Sequence, residues 1–209
     1  MISAREALQR LQAGNERFVV HRSEHDTLTS VERRLTLTAA QEPFAVILGC
    51  SDSRVPAEIV FDQGLGDLFV IRVAGNIVAS SQIGSVEFAV EVFGTPLVVV
   101  LGHTGCGAVN ATVDQLEQPE REQSPNLRSI VDRIRPAVEP LLESGLRYGR
   151  SELVRRAIRA NIRASVDQLR GGSAILQRHV EHHGLRVIGA EYSLDSGRID
   201  FFEGVDRLD

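Results

Sequence analysis

Lysine is absent from this chain: all 23 basic residues are arginine. That excludes a lysine Schiff base, a pyridoxal-phosphate anchor and a Walker-type phosphate loop. Tryptophan is absent too. Two cysteines in 209 residues are too few for a disulfide framework. No apolar run approaches the length of a membrane span. A net charge of −5 argues against nucleic acid or an anionic membrane as the main partner. The opening residues Met1 to Glu6 do not read as a secretory signal, so the expected location is the cytoplasm. What remains is an ordinary globular composition, 43% hydrophobic and 24% charged, at a length that suits one domain spanning 1–209.

Both cysteines fall in short polar motifs that close apolar runs. Phe44-Ala45-Val46-Ile47-Leu48 leads through Gly49 into Cys50-Ser51-Asp52-Ser53-Arg54, and Pro96 to Leu101 leads through Gly102 into His103-Thr104-Gly105-Cys106. Each run reads as a buried parallel strand. Two thiolates and one imidazole, Cys50, Cys106 and His103, are good zinc ligands, and a zinc with three protein ligands keeps a fourth position for water. In open parallel sheets ligands bind beyond the carboxyl ends of strands, so neighbouring strands would bring these residues to one point. A lone cysteine after a strand is more often a plain core residue. Here the convergence of all three ligands with a polar Asp-Ser-Arg triplet favours metal. Asp52 and Arg54 read as a buried pair, since either alone is costly to desolvate. A phosphatase-type cysteine loop does not fit, because only three residues separate Cys50 from Arg54.

The rest of the chain reads as α/β. Ser3 and Glu6 form a capping box for a helix over 3–20, and 21–42 is polar with a second short helix. Leu68 to Val73 is a strand. Ser80 or Ser81 caps a helix that Gly94 ends. Further helices are expected over about 105–116, from Ser124-Pro125 with a kink at Pro136, over 151–169, and from Ser173 to Gly184. Leu185 to Tyr192 and Arg198 to Phe202 read as a hairpin. Strands alternating with helices predict a mostly parallel four-stranded sheet with helices on both faces and a C-terminal antiparallel edge strand. His179, His182 and His183 are expected in a solvated last turn, and Arg155, Arg156, Arg159 and Arg163 on an exposed face.

At its two motifs the sequence closely resembles the β-class carbonic anhydrases, which carry Cys-x-Asp-x-Arg and His-x-x-Cys. The likeness runs from about Gln41 to Ala111 and includes Val55-Pro56-Ala57-Glu58, Asp67 to Arg72 and Gly75-Asn76. The resemblance implies reversible hydration of carbon dioxide to bicarbonate. It implies one zinc per subunit held by Cys50, His103 and Cys106, with Asp52 and Arg54 as the catalytic dyad beside the zinc-bound solvent. Asp52 is also a possible fourth ligand in a closed state. An obligate dimer, often paired into tetramers, is implied, with the N-terminal helical arm over 1–40 on the partner subunit. Gln41, Phe69 and Phe88 match positions of a substrate pocket at the dimer interface. Arg72 and Tyr192 match two members of a bicarbonate-holding triad, whose tryptophan position is Ile47 here. Two thiolates should make the zinc water less acidic than three histidines would, so activity is expected to rise with pH. His21 and His25 are candidate proton shuttles. Two other readings stay open: a hydrolase of carbonyl sulfide or carbon disulfide on the same zinc site, and a noncatalytic zinc-binding relative.

Overall fold

The computed structural model describes residues 2–24, 28–120, 122–143 and 149–207. In chain order the elements are α1 (Ala4–Val19), α2 (Val31–Thr36), β1 (Ala45–Gly49), α3 (Ala57–Val60), β2 (Leu68–Arg72), α4 (Ser80–Phe93), β3 (Leu97–His103), α5 (Gly107–Glu117), α6 (Pro125–Glu143), α7 (Arg150–Gly171), α8 (Ala174–His182), β4 (Arg186–Tyr192) and β5 (Ile199–Glu203). The strands form one sheet in the order β2-β1-β3-β4-β5, parallel except for the last pair. That is the mixed sheet the alternation of strands and helices predicts.

Alternate residues of the central strands feed two cores. Val46, Leu48, Val98 and Val100 pack under α4 to α8. Ala45, Ile47, Leu97 and Val99 pack on the other side, with Leu8 and Leu11 of α1. A strand buried on both faces must be apolar throughout, which is why β1 and β3 read as unbroken hydrophobic runs.

Several local expectations need correction. Ala79, extended at φ −133 and ψ 174, takes the N-cap of α4 with no side-chain bond, and Ser80 is already helical. Helix α6 includes Pro136, the expected kink position, and a second proline, Pro140, that the expectation did not include. The short helix α3 and the single turn Ala74–Asn76 were not legible as elements. The Ser3–Glu6 capping box is present as expected. Asn15 ties α1 to the rest of its face: its amide donates to the carbonyls of Val60 (3.0 Å) and Gly197 (2.8 Å) and accepts from the Ile199 N–H (2.9 Å).

The topology fixes where chemistry can sit. From β1 the chain crosses to β2 on one side, then passes back over β1 to β3 on the other. The carboxyl ends of β1 and β3 are therefore the switch point of the sheet, where loops diverge and leave a crevice. Gly49 lies opposite Leu101 in register, so Cys50 leaves β1 beside the Gly102-His103 step at the end of β3.

Candidate metal centre

Cys50, His103 and Cys106 converge at that switch point, with one ligand atom from each lying within 4.8 Å of the others. All three are buried, and both cysteines are free. The imidazole is oriented by its own backbone: His103 Nδ1 lies 2.9 Å from the Thr104 carbonyl oxygen. A carbonyl only accepts, so Nδ1 carries the proton and Nε2 presents a lone pair. That Nε2 is fully buried and has no hydrogen-bond partner. An orphaned buried acceptor is costly in an apolar core and natural for a metal ligand. The donor set of two sulfurs and one nitrogen suits zinc, so the residues fit the ion that the motifs imply.

The thiols share their charge unequally. A hydrogen bond from Cys106, then His103 and the N–H groups of Gly75 and Asp52, bring Cys50 down to about 4 against the opposing effect of burial. The same thiol contact, burial and the Cys50 charge push Cys106 up. For His103 burial favours the neutral ring, but the adjacent Cys50 thiolate outweighs it and raises the imidazole. A divalent cation would take both sulfurs as thiolates and displace the remaining thiol proton. Cys106 sits at the N-cap of α5, where the N–H groups of Val109 and Ala108 partly oppose the rise in its pKa.

Asp52 stands beside the ligand cluster, with Oδ2 3.8 Å from His103 Nε2. Arg54 grips it from the far side: Nε donates to Oδ1 at 2.9 Å and Nη2 to Oδ2 at 2.7 Å, and the Arg54 N–H adds a bond to Oδ1 at 3.0 Å. This bidentate pairing holds the carboxyl well below the usual carboxylate range despite partial burial. The pair is not buried as a unit, however. Asp52 keeps 17% of its side-chain exposure but Arg54 keeps 56%, so the guanidinium reaches in from solvent.

A family model described as carbonic anhydrase matches residues 45–199. Carbonic anhydrase 2 of Mycobacterium tuberculosis is 43% identical over 192 residues, covering 92% of this chain and 89% of that protein. The chain belongs to the β-class carbonic anhydrases. The carbonic anhydrase of Mycolicibacterium smegmatis is 42% identical over 93% of this chain and 91% of its own length. The solved β-carbonic anhydrase CafA of Aspergillus fumigatus has a TM-score of 0.75 at 26% identity, over 85% of this chain and 84% of that one. The activity is zinc-dependent carbon dioxide hydration, as the motifs implied.

Two residues that the sequence reading did not use for catalysis hold this carbonic anhydrase site together. Arg72, matched earlier to a bicarbonate triad, donates from Nε to the Cys50 carbonyl (3.1 Å) and from Nη2 to the Asp52 carbonyl (2.7 Å). It braces the ligand and the dyad carboxylate as one segment. Gly75 donates its N–H to Cys50 Sγ at 3.3 Å. Only the positive-φ demand of Gly75-Asn76 could have flagged it, and a glycine in sequence does not announce its conformation. Tyr192, also matched to the triad, is buried against the α1 face together with Ile47.

The expected pocket residues gather elsewhere, around Phe93. The Phe69 and Phe88 rings lie 6.1 and 5.6 Å from the Phe93 ring, and Gln41 lines a concavity of about 850 Å³ with Phe93. Cys50, His103 and Cys106 do not line that concavity. His21 is exposed, and His25 lies outside the described residues. His179 is not simply solvated, because its Nε2 meets Glu91 at 2.9 Å. The arginines of α7 are paired: Arg155 and Arg156 with Glu152, Arg159 with Glu191 and Asp200, and Arg163 with Glu203.

Proposed function

We propose that Cys50, His103 and Cys106 hold the zinc of this carbonic anhydrase and that Asp52, fixed by Arg54, orients the reacting solvent. The observation that carries the reading is the buried, unpartnered Nε2 of His103 set between two thiols. Bound zinc supplies the Lewis acidity that makes water nucleophilic near neutral pH. Asp52 remains ionised throughout that range, so it accepts a hydrogen bond and does not donate one. Its Oδ2 faces the ligand cluster while Arg54 occupies both oxygens from behind, which leaves the remaining lone-pair direction for solvent in the crevice. A solvent O–H committed to Asp52 aims its free lone pair away from the carboxylate, toward an incoming electrophile. Such a strong acid does not take up the product proton, which therefore passes to solvent. Gripped by Arg54, Asp52 acts as acceptor; as a fourth ligand it would have to leave that fork.

Metal analysis with turnover tests these roles. Wild type is expected to carry one zinc per chain, and Cys106→Ser or His103→Ala to lose it. Asp52→Asn is expected to keep zinc and lose about 10²-fold or more in kcat. Loss of zinc from Asp52→Asn would make Asp52 a ligand instead.

We also place Gln41, Phe69 and Phe88 in a carbon dioxide pocket completed across a homodimer, the family assembly that can pair further into tetramers. Phe88 and Val92, one turn apart on α4, are 52% and 58% exposed, as are Val31 and Leu35 of α2 at 63% and 62%. Apolar exposure of that kind suits a subunit interface, with the arm over 1–40 contributing to it. Phe88→Asp should yield monomers that retain zinc but lose turnover; an active monomer would refute the shared pocket. No described helix is long and apolar enough to cross a membrane. Because the site needs reduced thiols, we place the protein in the cytoplasm.

A further inference from the structure

Helix α7 carries no sequence motif, yet two polar side chains interrupt its buried apolar stripe. Asn161 is 2% exposed and Ser165 3%, one turn apart on the same face. Neither suits a core position unless a partner is supplied. Both find their partner in the turn that follows β2. Asn161 Nδ2 donates to the Gly75 carbonyl at 2.8 Å, and Ser165 Oγ donates to the Asn76 carbonyl at 3.1 Å. Gly75 has φ +71 and Asn76 φ +44, two consecutive left-handed residues, a conformation the chain does not hold without external support. The other side of Gly75 faces the metal site, where its N–H donates to Cys50 Sγ. Gly75 is therefore pinned between α7 and the Cys50 thiol.

We propose that Asn161, supported by Ser165, is a positioning residue for the zinc: it holds the Gly75-Asn76 turn so that the Gly75 N–H stays on the Cys50 thiolate. The inference rests on Cys50 being a ligand. A hydrogen bond to a ligating sulfur fixes its lone-pair direction and withdraws electron density from it, so outer partners of this kind tune both retention and electronics of the metal. Asn161 acts through Gly75 and touches neither metal nor substrate.

The test compares Asn161→Leu, the milder Asn161→Ser (a side chain too short to reach Gly75) and Ser165→Ala with Val166→Ala. Val166 is equally buried on α7 and serves as the packing control. Two readouts are needed: the rate of zinc release to a chelating dye, and the thiolate-to-metal charge-transfer band of the cobalt-substituted protein. Both Asn161 variants are expected to release zinc about 10–100-fold faster. Their band should move to lower energy, because a sulfur stripped of its hydrogen bond gives up electrons more easily. Ser165→Ala should show smaller changes of the same sign, and Val166→Ala should lose stability with neither change. If Asn161→Leu does not fold, Asn161→Ser carries the test. Wild-type metal loading combined with unaltered release and band in the Asn161 variants overturns the inference alone. A wild-type chain that takes up no metal overturns the ligand assignment and the inference with it.

Discussion

Replacing Gly75 by alanine should damage stability and metal retention together. At φ +71 and ψ 19 an alanine pays about 1–2 kcal/mol for the left-handed conformation. Its Cβ would also lie 2.7 Å from Ile134 Cδ1 and 3.0 Å from Ala108 Cβ. Ile134 can swing its terminal methyl, but Ala108 is anchored in the first turn of α5, directly after Cys106, and can yield only by moving backbone. Forcing a methyl into such a place costs about 1–3 kcal/mol. The sum is a loss of about 2–5 kcal/mol, measurable by urea unfolding of zinc-loaded protein at one fixed concentration. The contributions separate by a double-mutant cycle. Ile134→Val removes the nearer colliding atom, so the double variant should be more stable than the two single losses predict, by about 1 kcal/mol. The left-handed cost should remain. A Gly75→Ala protein within about 0.5 kcal/mol of wild type, with normal zinc retention, would mean that the turn accepts a side chain freely.

Three other outcomes are expected. Because the Asp52 carboxyl is depressed in the folded chain, its contribution is complete above the unfolded value of about 3.9 and is lost as pH falls through the folded one. The stability difference between wild type and Arg54→Gln should therefore be flat from pH 5 to 8 and shrink below about pH 4; a slope through neutrality would contradict it. Chelation should leave Cys50 the more reactive thiol at pH 6, since it is lowered to about 4 while Cys106 is raised. Peptide mapping after brief alkylation that found Cys106 labelled first would reverse that assignment. Asn15→Ala leaves three backbone groups of α3 and the β4–β5 hairpin without their partner, and should cost about 2–4 kcal/mol in chemical denaturation. A loss under about 1 kcal/mol would mean that water replaces the amide freely.

Much of the architecture was legible because the residues speak locally. The unbroken apolar runs of β1 and β3 are what a strand covered on both faces requires, and Gly94 ends α4 in the left-handed conformation its position implied. The ligand motifs were legible because cysteine is scarce here and both copies sit in short polar motifs that follow apolar strands. Features that depend on distant partners were not legible. Ser80 looked like a cap because serine often is one, but the backbone entered α4 one residue earlier. Arg54 looked buried because a pair beside two buried cysteines was expected to be, yet Asp52 is only partly buried and the guanidinium approaches from solvent. Arg72 matched a ligand-holding position but spends its guanidinium on two carbonyls of the Cys50 loop. Nothing in the sequence singles out Asn161 and Ser165, because the turn they hold lies 86 and 89 residues away. Periodicity reports which face is buried, not what a polar residue on that face must bind.

In the proposed roles, the Cys50, His103 and Cys106 cluster and the Asp52–Arg54 dyad together hydrate carbon dioxide. Stopped-flow hydration by zinc-verified protein from pH 6.5 to 9 tests these roles most directly. Clear turnover that rises toward alkaline pH is expected, because two thiolate ligands oppose acidification of the reacting water while Asp52 stays ionised throughout. Zinc-replete protein with no turnover at any pH would rule these roles out and turn attention to carbonyl sulfide, carbon disulfide or a noncatalytic zinc site.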